Sequence, residues 1–176
     1  MKIFILTIAL TFIFGGHAAY AQTDATDCPI GAWVSSKDPK GLNVRVTPSG
    51  KVIGKIPYDQ DNDDEIAMIE IVDYSKGWVR IAGAKTVSGV VLFQGRGWIS
   101  AKMVTVRTQR PDGNSLKPVT LYSQPVKNAR IVGKIPSDVN LQIVGYDCSF
   151  LKVAYRGKVG WLSTMDICGN PVTTCS

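Results

Sequence analysis

The 176-residue sequence predicts an all-β protein made of two tandem small β-barrels. Three observations favour this class. Apolar and polar residues alternate with a period of two, turn residues separate the short apolar runs, and one part of the chain repeats another. Hydrophobic residues make up 45% of the chain and charged residues 19%, a globular composition that argues against disorder. Because no window of a dozen residues shows a convincing 3.6-residue period, we expect strands rather than helices.

Residues 1–21 are typical of a secretory signal peptide rather than of a folded segment. A basic start at Lys2 precedes an apolar run over residues 3–14, and Ala19-Tyr20-Ala21 predicts cleavage after Ala21. An uncleaved N-terminal anchor is the alternative. No later stretch approaches the roughly 18 apolar residues that a membrane span needs, so no integral membrane segment is expected after cleavage. The sequence therefore predicts a periplasmic or secreted protein.

Cleavage after Ala21 would remove His17, which is the one histidine of the sequence. A mature chain without histidine excludes Ser-His-Asp and Cys-His catalysis and any His-ligated metal site. A hydrolase that uses carboxylates such as Asp73 is the alternative, but nothing places two carboxylates on facing walls of a cleft. We therefore predict no catalytic residue, no cofactor and no enzymatic activity.

All four cysteines follow the signal peptide, at positions Cys28, Cys148, Cys168 and Cys175. An even number in an exported chain is typical of two disulfides, and four cysteines allow three pairings. The turn residues 169–171 favour a bond between Cys168 and Cys175, which leaves Cys28 to pair with Cys148. A structural zinc site is the alternative, but the spacing lacks the paired C-x-x-C of such sites.

Three blocks of sequence occur twice in the same order: 52–57 and 131–136, 78–82 and 150–154, and 97–100 and 160–163. The offset between the copies falls along the chain, so the first copy carries two insertions. Matched blocks in a conserved order favour a duplication. We predict a first barrel over 29–106 with two insertions, a polar linker over 107–117, and a second barrel over 118–176 with a disulfide-bonded tail.

The first copy resembles a bacterial SH3-like (SH3b) domain. The resemblance rests on Leu42-Asn43-Val44-Arg45, a turn, the block 52–57, Gly-Trp-Val-Arg-Ile at 77–81 and Gly-Trp-Ile-Ser at 97–100. The second copy is similar, with Val119-Thr120-Leu121-Tyr122 in place of the first motif. Such domains bind peptidoglycan, peptides or other proteins, so the resemblance implies a non-catalytic binding module. A structural subunit of an envelope complex, with no affinity for the wall, is the alternative.

Residues of the first copy are the candidate contacts to a ligand: Tyr58, Tyr74, Trp98, Asn43 and Arg45. Partly exposed aromatic rings line the peptide grooves of many small barrels, which favours the tyrosines and the tryptophan. Asn43 and Arg45 belong to the resemblance motif and are interpreted either as ligand contacts or as structural residues that cap loops between strands.

The first insertion, 59–65, is acidic. Together with Glu70 it approaches the ligand spacing of a calcium loop, with Asp59, Asp61 and Asp63 as the other candidate ligands. Asp64 stands where such a loop has glycine, and no helix is expected on either side. A solvated loop is therefore the preferred interpretation, and no metal is predicted.

The second insertion, within 83–95, is expected to lengthen a hairpin of the first barrel. Val91 and Phe93 would then project beyond the barrel edge. An exposed apolar strand of this kind favours a protein-binding edge, since such edges seldom stay unpaired. Packing of the same strand against the second barrel is the alternative.

The charge of the chain is positive but dispersed, with 20 Lys and Arg against 14 Asp and Glu. No basic stripe with interleaved aromatic residues occurs, which argues against nucleic-acid binding. The expected partner is a cell-wall peptide or an envelope protein. The sequence leaves the identity of the ligand and the oligomeric state open.

Overall fold

The computed structural model describes residues 28–58, 65–109 and 117–172. These residues confirm the predicted all-β class: they form 13 strands and two 3-10 turns, with no α-helix among them. The strands are β1 Ile30–Val34, β2 Leu42–Arg45, β3 Val52–Ile56, β4 Met68–Ser75, β5 Trp78–Lys85, β6 Val91–Ser100, β7 Val104–Thr108, β8 Val119–Tyr122, β9 Ile131–Ile135, β10 Asn140–Asp147, β11 Phe150–Tyr155, β12 Lys158–Ser163 and β13 Ile167–Cys168. The 3-10 turns are Ala101–Met103 and Thr164–Asp166. Within these ranges no helix has the length and apolarity needed to cross a bilayer.

All the strands pair antiparallel in one open sheet, in the order β3-β2-β6-β5-β4-β1-β7-β10-β11-β12-β8-β9, with β13 also paired to β7. Read outward from the centre, β1-β4-β5-β6-β2-β3 has the same order as β7-β10-β11-β12-β8-β9. We call β1–β6 the first half and β8–β13 the second half. Closure of either half into a barrel stays a prediction.

Strand β7 hydrogen-bonds to both halves. Val104 and Thr105, at its start, pair with β1, whereas Arg107 and Thr108, at its end, pair with β13. Residues 105–107 also pair with β10. The two residues that begin the predicted linker are therefore part of a strand, and residues 110–116 lie outside the described ranges. The described halves are joined through one continuous strand.

Backbone hydrogen bonds outside the ladders occur at matching places in both halves. The Ser35 N–H donates to the Met103 carbonyl at 2.9 Å, and the Gln109 N–H donates to the Asp166 carbonyl at 2.8 Å. Each bond ties the residue after the innermost strand, β1 or β7, to the last residue of a 3-10 turn. The N–H at the first residue of each 3-10 turn also donates to a turn carbonyl, which belongs to the β4–β5 turn in the first half and to the β10–β11 turn in the second. The two halves thus share local geometry as well as strand order.

Alternation along the strands produces the core. In β10, Leu141 and Ile143 are buried while Asn140 and Gln142 are exposed, as their period-two pattern predicts. Buried aliphatic side chains from both halves form one contiguous cluster. The halves are therefore joined by packing as well as by β7.

Two hairpins are closed by two-residue turns that have glycine in the second position. Lys76 and Gly77, between β4 and β5, have φ values of 45° and 86°, and Arg156 and Gly157, between β11 and β12, have 45° and 79°. Positive φ at both central residues is typical of the type I′ turn, whose twist matches that of the flanking strands. These turns fix which residues of the hairpins face outward.

A disulfide joins Cys28, just before β1, to Cys148 in the β10–β11 turn, which confirms that predicted pair. The Cα atoms are 5.0 Å apart. The Tyr146 hydroxyl donates a hydrogen bond to the Cys28 carbonyl at 2.8 Å, so two contacts hold these segments. Cys168 is also disulfide-bonded, but its predicted partner Cys175 lies outside the described residues.

Candidate functional site

A row of cationic and aromatic side chains crosses the outer face of the first half. Trp98 on β6 pairs directly with Arg45 on β2 and with Arg80 on β5. Directly opposed residues of antiparallel strands project to the same face. The residues next to each of the three within its strand are buried and therefore face the inner side. Arg45 is the last residue of β2 and has one such neighbour, Val44. Arg45, Trp98 and Arg80 therefore lie side by side on the outer face, and we call them the first row.

Arg45 is positioned by two contacts. Its Nη1 donates to the Gly50 carbonyl at 2.7 Å, which ties the side chain to the β2–β3 turn. Its guanidinium carbon lies 5.9 Å from the ring centroid of Trp78, a cation–π distance. Arg45 therefore connects β2 to the β2–β3 turn, and its guanidinium lies on the outer face. Asn43 lies two residues earlier on β2 and on the same face.

Gly97 brings β2 and β6 together beneath the first row. It is buried, and a Cβ atom at this position would overlap Cγ1 of the fully buried Val44 and lie 3.3 Å from the Arg45 carbonyl oxygen. A larger residue would therefore push β2 away from β6. The Gly-Trp pair has a simple local logic: glycine on the inner face permits the approach, and tryptophan occupies the outer face.

An acidic residue lies at the inner end of the first row. Asp73 on β4 is opposed to Arg80 on β5, and its carboxylate accepts a hydrogen bond from the Tyr74 N–H at 2.7 Å. Trp78 and Arg80, absent from the predicted ligand set, belong to this face. The sequence pattern could have indicated both, because they alternate with the aliphatic residues Val79 and Ile81, which the structure buries fully.

Tyr58 lies apart from the first row, in a groove of about 350 Å³ at the end of β3. Trp33 and Leu42 line the same groove. The Arg107 guanidinium lies 5.7 Å from the centroid of Trp33, so a residue of β7 contacts the indole. Residues 59–64, which continue the chain from Tyr58, lie outside the described ranges. Trp98 is not among the described residues that line this groove.

A second groove, of about 540 Å³, runs beside the outer end of β6. Val91 and Phe93 line it together with Glu70 and Lys85. Phe93 packs against β3: a Cβ atom at Gly54 would lie 2.8 Å from its Cε2. Val91 remains 66% exposed. The predicted apolar edge is thus divided, with Phe93 packed inside the first half and Val91 facing solvent.

Tyr74 supports a turn. Its hydroxyl accepts a hydrogen bond from the Gly77 N–H at 3.0 Å, and its ring packs against the core. This contact stabilises the type I′ turn that precedes Trp78. Tyr74 is therefore a neighbour of the outer face through its turn rather than a member of the first row.

The two insertions of the first half contact each other. The Ser88 hydroxyl, at the tip of the β5–β6 hairpin, donates to the Glu65 carboxylate at 3.0 Å and lies 2.7 Å from the Thr86 hydroxyl. Hydrogen bonds from the Thr86 side chain, and secondarily from Ser88, lower the pKa of Glu65 below its ordinary value. The end of the acidic insertion is thus fixed to the extended hairpin.

Replacing Ser88 with alanine is expected to raise the pKa of Glu65 toward its ordinary value, and Thr86→Val is expected to raise it further. Each substitution removes a donor that favours the ionised carboxylate. The stabilising contribution of this carboxylate is present above its unfolded-state pKa and is lost as pH falls through the lowered folded-state pKa. NMR titration of the Glu65 side-chain carboxyl measures the shift.

Val87→Ala is the matched control for this titration, because it changes the same hairpin tip without removing a hydrogen-bond donor. An unchanged Glu65 pKa in both the Ser88 and Thr86 variants would contradict the contact.

Of the four residues that approach a calcium-loop spacing, the described ranges include Glu70 alone. Glu70 is an exposed residue of β4, whereas Asp59, Asp61 and Asp63 lie outside the described residues. Among residues 28–58, 65–109 and 117–172, no group of three or more His, Cys, Asp or Glu could hold a metal ion.

The second described carboxyl with a shifted pKa is Asp166 in the second half. Burial raises its pKa, and the charge of Lys127 partly opposes that effect. Neither Asp166 nor Glu65 belongs to the first row. What the row offers chemically is recognition: guanidinium groups bind carboxylates, and the half-buried indole of Trp98 adds an apolar contact surface.

No family model and no curated protein matches the chain. Its backbone is similar to parts of several solved structures. NlpC2 from Trichomonas vaginalis has 14% identity and a TM-score of 0.33, over 82% of this chain and 49% of that one. NlpC1 from the same organism has 16% identity and a TM-score of 0.35, over 82% and 47%. An NlpC/P60 family protein from Bacillus cereus ATCC 10987 has 14% identity and a TM-score of 0.26, over 78% and 55%. The chain spans about half the length of these proteins.

Proposed function

We propose that the protein is a non-catalytic, exported binding module that recognises peptidoglycan peptide through the outer face of its first half. The observation that carries the proposal is the first row, in which Trp98 lies between Arg45 and Arg80. Guanidinium groups bind carboxylates with strong, directed hydrogen bonds, and the indole between them supplies a rigid contact surface. The row therefore suits a peptide that carries carboxylates.

We infer that each half is an SH3-like barrel and that the chain is a tandem pair of them. Support comes from the identical strand order on the two sides of the sheet centre and from the matching backbone hydrogen bonds at the 3-10 turns. The Gly-Trp pairs add to this: a Cβ atom at Gly160 would lie 2.9 Å from Leu121 Cβ, as one at Gly97 would meet Val44.

Export is part of the same proposal. The Cys28–Cys148 disulfide forms and persists in an oxidising compartment, which favours a periplasmic or secreted protein. A peptide of the cell wall is available there.

A protein of the envelope is the second candidate partner, and the exposed outer end of β6 favours it. Val91 is 66% exposed and lines the groove beside Glu70 and Lys85. Val90, the residue before it, is also exposed, and contiguous exposed apolar residues rimmed by polar ones mark protein-binding surfaces. This surface is separate from the first row, so substitutions can distinguish the two partners.

Sedimentation of the purified mature chain with insoluble peptidoglycan tests the proposal. Trp98→Ala is expected to weaken binding about 30-fold, since an aromatic anchor contributes about 2 kcal/mol. Arg80→Gln, which keeps the three-carbon stem and a polar end but removes the charge, is expected to weaken binding and to reduce its dependence on salt.

Met165→Ala is the matched control, because Met165 is 75% exposed and lies outside the first row. Val91→Glu should leave wall binding unchanged but abolish capture of an envelope protein through β6. The absence of sedimentation by the unsubstituted chain would overturn the peptidoglycan assignment.

A further inference from the structure

The second half carries its own row of aromatic and cationic side chains. Trp161 on β12 pairs directly with Tyr122 on β8 and with Lys152 on β11. The Lys152 ammonium lies 5.8 Å from the ring centroid of Trp161. Tyr122 in turn packs edge-to-face on Phe150, with the ring centroids 6.2 Å apart. We call Tyr122, Trp161 and Lys152 the second row.

The second row occupies the same strands as the first. Strands β8, β12 and β11 take the places in the second half that β2, β6 and β5 take in the first. Trp161 follows the buried Gly160 as Trp98 follows the buried Gly97. Each row therefore has an outward tryptophan between two strands, with a cation on the strand nearer the sheet centre.

The two rows differ at their inner end. Arg80 is opposed to Asp73 on β4, whereas Lys152 is opposed to Gly145 on β10. A Cβ atom at Gly145 would lie 2.8 Å from Lys152 Cβ and 3.6 Å from Trp161 Cη2. The glycine thus leaves room for the indole and the lysine stem to lie over β10. It also leaves Lys152 without the carboxylate that stands opposite Arg80.

We propose that the second row is a second binding subsite for a carboxylate-bearing peptide, so that the two halves bind a repeating polymer at two points. This inference rests on the proposed function. The occupant follows from charge: Lys152 is the charged member of the row, its ammonium is held against Trp161, and an ammonium in that setting attracts an anionic group. An acidic peptide presents such groups at intervals.

The connection between the rows makes the two contacts reinforce each other. Because β7 and the contiguous core join the halves, binding at one row fixes the orientation of the other. A second contact made within one complex benefits from a high effective concentration, provided that the polymer can reach both sites. The gain is therefore expected on polymeric peptidoglycan and not on a single soluble fragment.

Two probes test the inference: insoluble peptidoglycan, and the soluble disaccharide-peptide fragment released from it by a muramidase. Calorimetry of the unsubstituted chain with the fragment is expected to give two sites, and Trp161→Ala is expected to give one. On insoluble peptidoglycan, Trp161→Ala should weaken binding at least tenfold. If Trp161→Ala proves unstable, Lys152→Gln replaces it in the experiment. It keeps the indole and should also weaken binding. Met165→Ala is again the control.

The outcomes separate the two proposals. A single site in the unsubstituted chain, lost in Trp98→Ala and unaffected in Trp161→Ala and Lys152→Gln, would overturn the second subsite and leave the proposed function intact. No binding of either probe by the unsubstituted chain would overturn both. If the unsubstituted chain had two sites for the fragment but Trp161→Ala bound insoluble peptidoglycan with unchanged affinity, the two-point attachment would be overturned.

Discussion

Replacing Cys28 and Cys148 together with serine is expected to lower the free energy of unfolding by about 4–5 kcal/mol in the chain-entropy account of disulfides. The bond spans 120 positions of sequence, and a long loop left open in the unfolded chain gains the most conformational freedom. Urea unfolding of the mature chain, followed by far-UV circular dichroism, measures the loss.

Tyr146→Phe is the comparison for this experiment. It removes the hydrogen bond to the Cys28 carbonyl but keeps the disulfide and the ring, and it should cost about 1 kcal/mol. If the double serine variant lost no more than Tyr146→Phe, the disulfide would not be a principal constraint on the fold.

Gly97→Ala is expected to lower the free energy of unfolding by about 3 kcal/mol, at the upper end of the usual cost of overpacking. The added methyl would overlap Val44, which is fully buried, and would press on the backbone of Arg45. Since β2 carries Arg45, the same substitution should also displace one end of the first row. Thermal unfolding measures the first effect, and sedimentation with insoluble peptidoglycan measures the second.

Gly133→Ala is the matched control on β9. There an added Cβ would meet only Lys158 Cδ, at the ordinary contact distance of 3.6 Å, so stability should change by less than about 0.5 kcal/mol. An equal loss in the two variants would mean that the cost at Gly97 does not come from the close approach of β2 to β6, since the space around Gly133 is open.

The local features of the fold are predictable from the sequence because they depend on neighbours in the chain. The alternation in β10 and the turn at Lys76 and Gly77 each follow from a few adjacent residues. The Cys28–Cys148 pair was also predictable, since turn chemistry near Cys168 left few alternatives. None of these inferences requires knowledge of which strands lie side by side.

The first row depends on register between distant strands and could not be predicted in full. Arg45 opposes Trp98 because β2 pairs with β6, a strand that is distant from it in the sequence. A shift of one residue would turn a side chain to the opposite face. The packing of Phe93 on Gly54 has the same origin, because it requires β3 to lie close to β6. Sequence periodicity does not show which distant strands lie side by side.

The pairing of strand β7 sets the orientation of the two described halves relative to each other. In proteins whose units are joined by a loop, loop length and composition set the reach between them. Here Thr105 pairs with β1 on one side and with β10 on the other, so a single strand defines both frames. Inserting one residue after Thr105 would reverse the alternation of the residues that follow it in β7 and so change how β10 is paired relative to β1. The orientation of the two rows relative to each other therefore depends on the register of one five-residue strand. A variant that presents its rows differently would alter the register or the twist of β7, because this strand pairs with both halves.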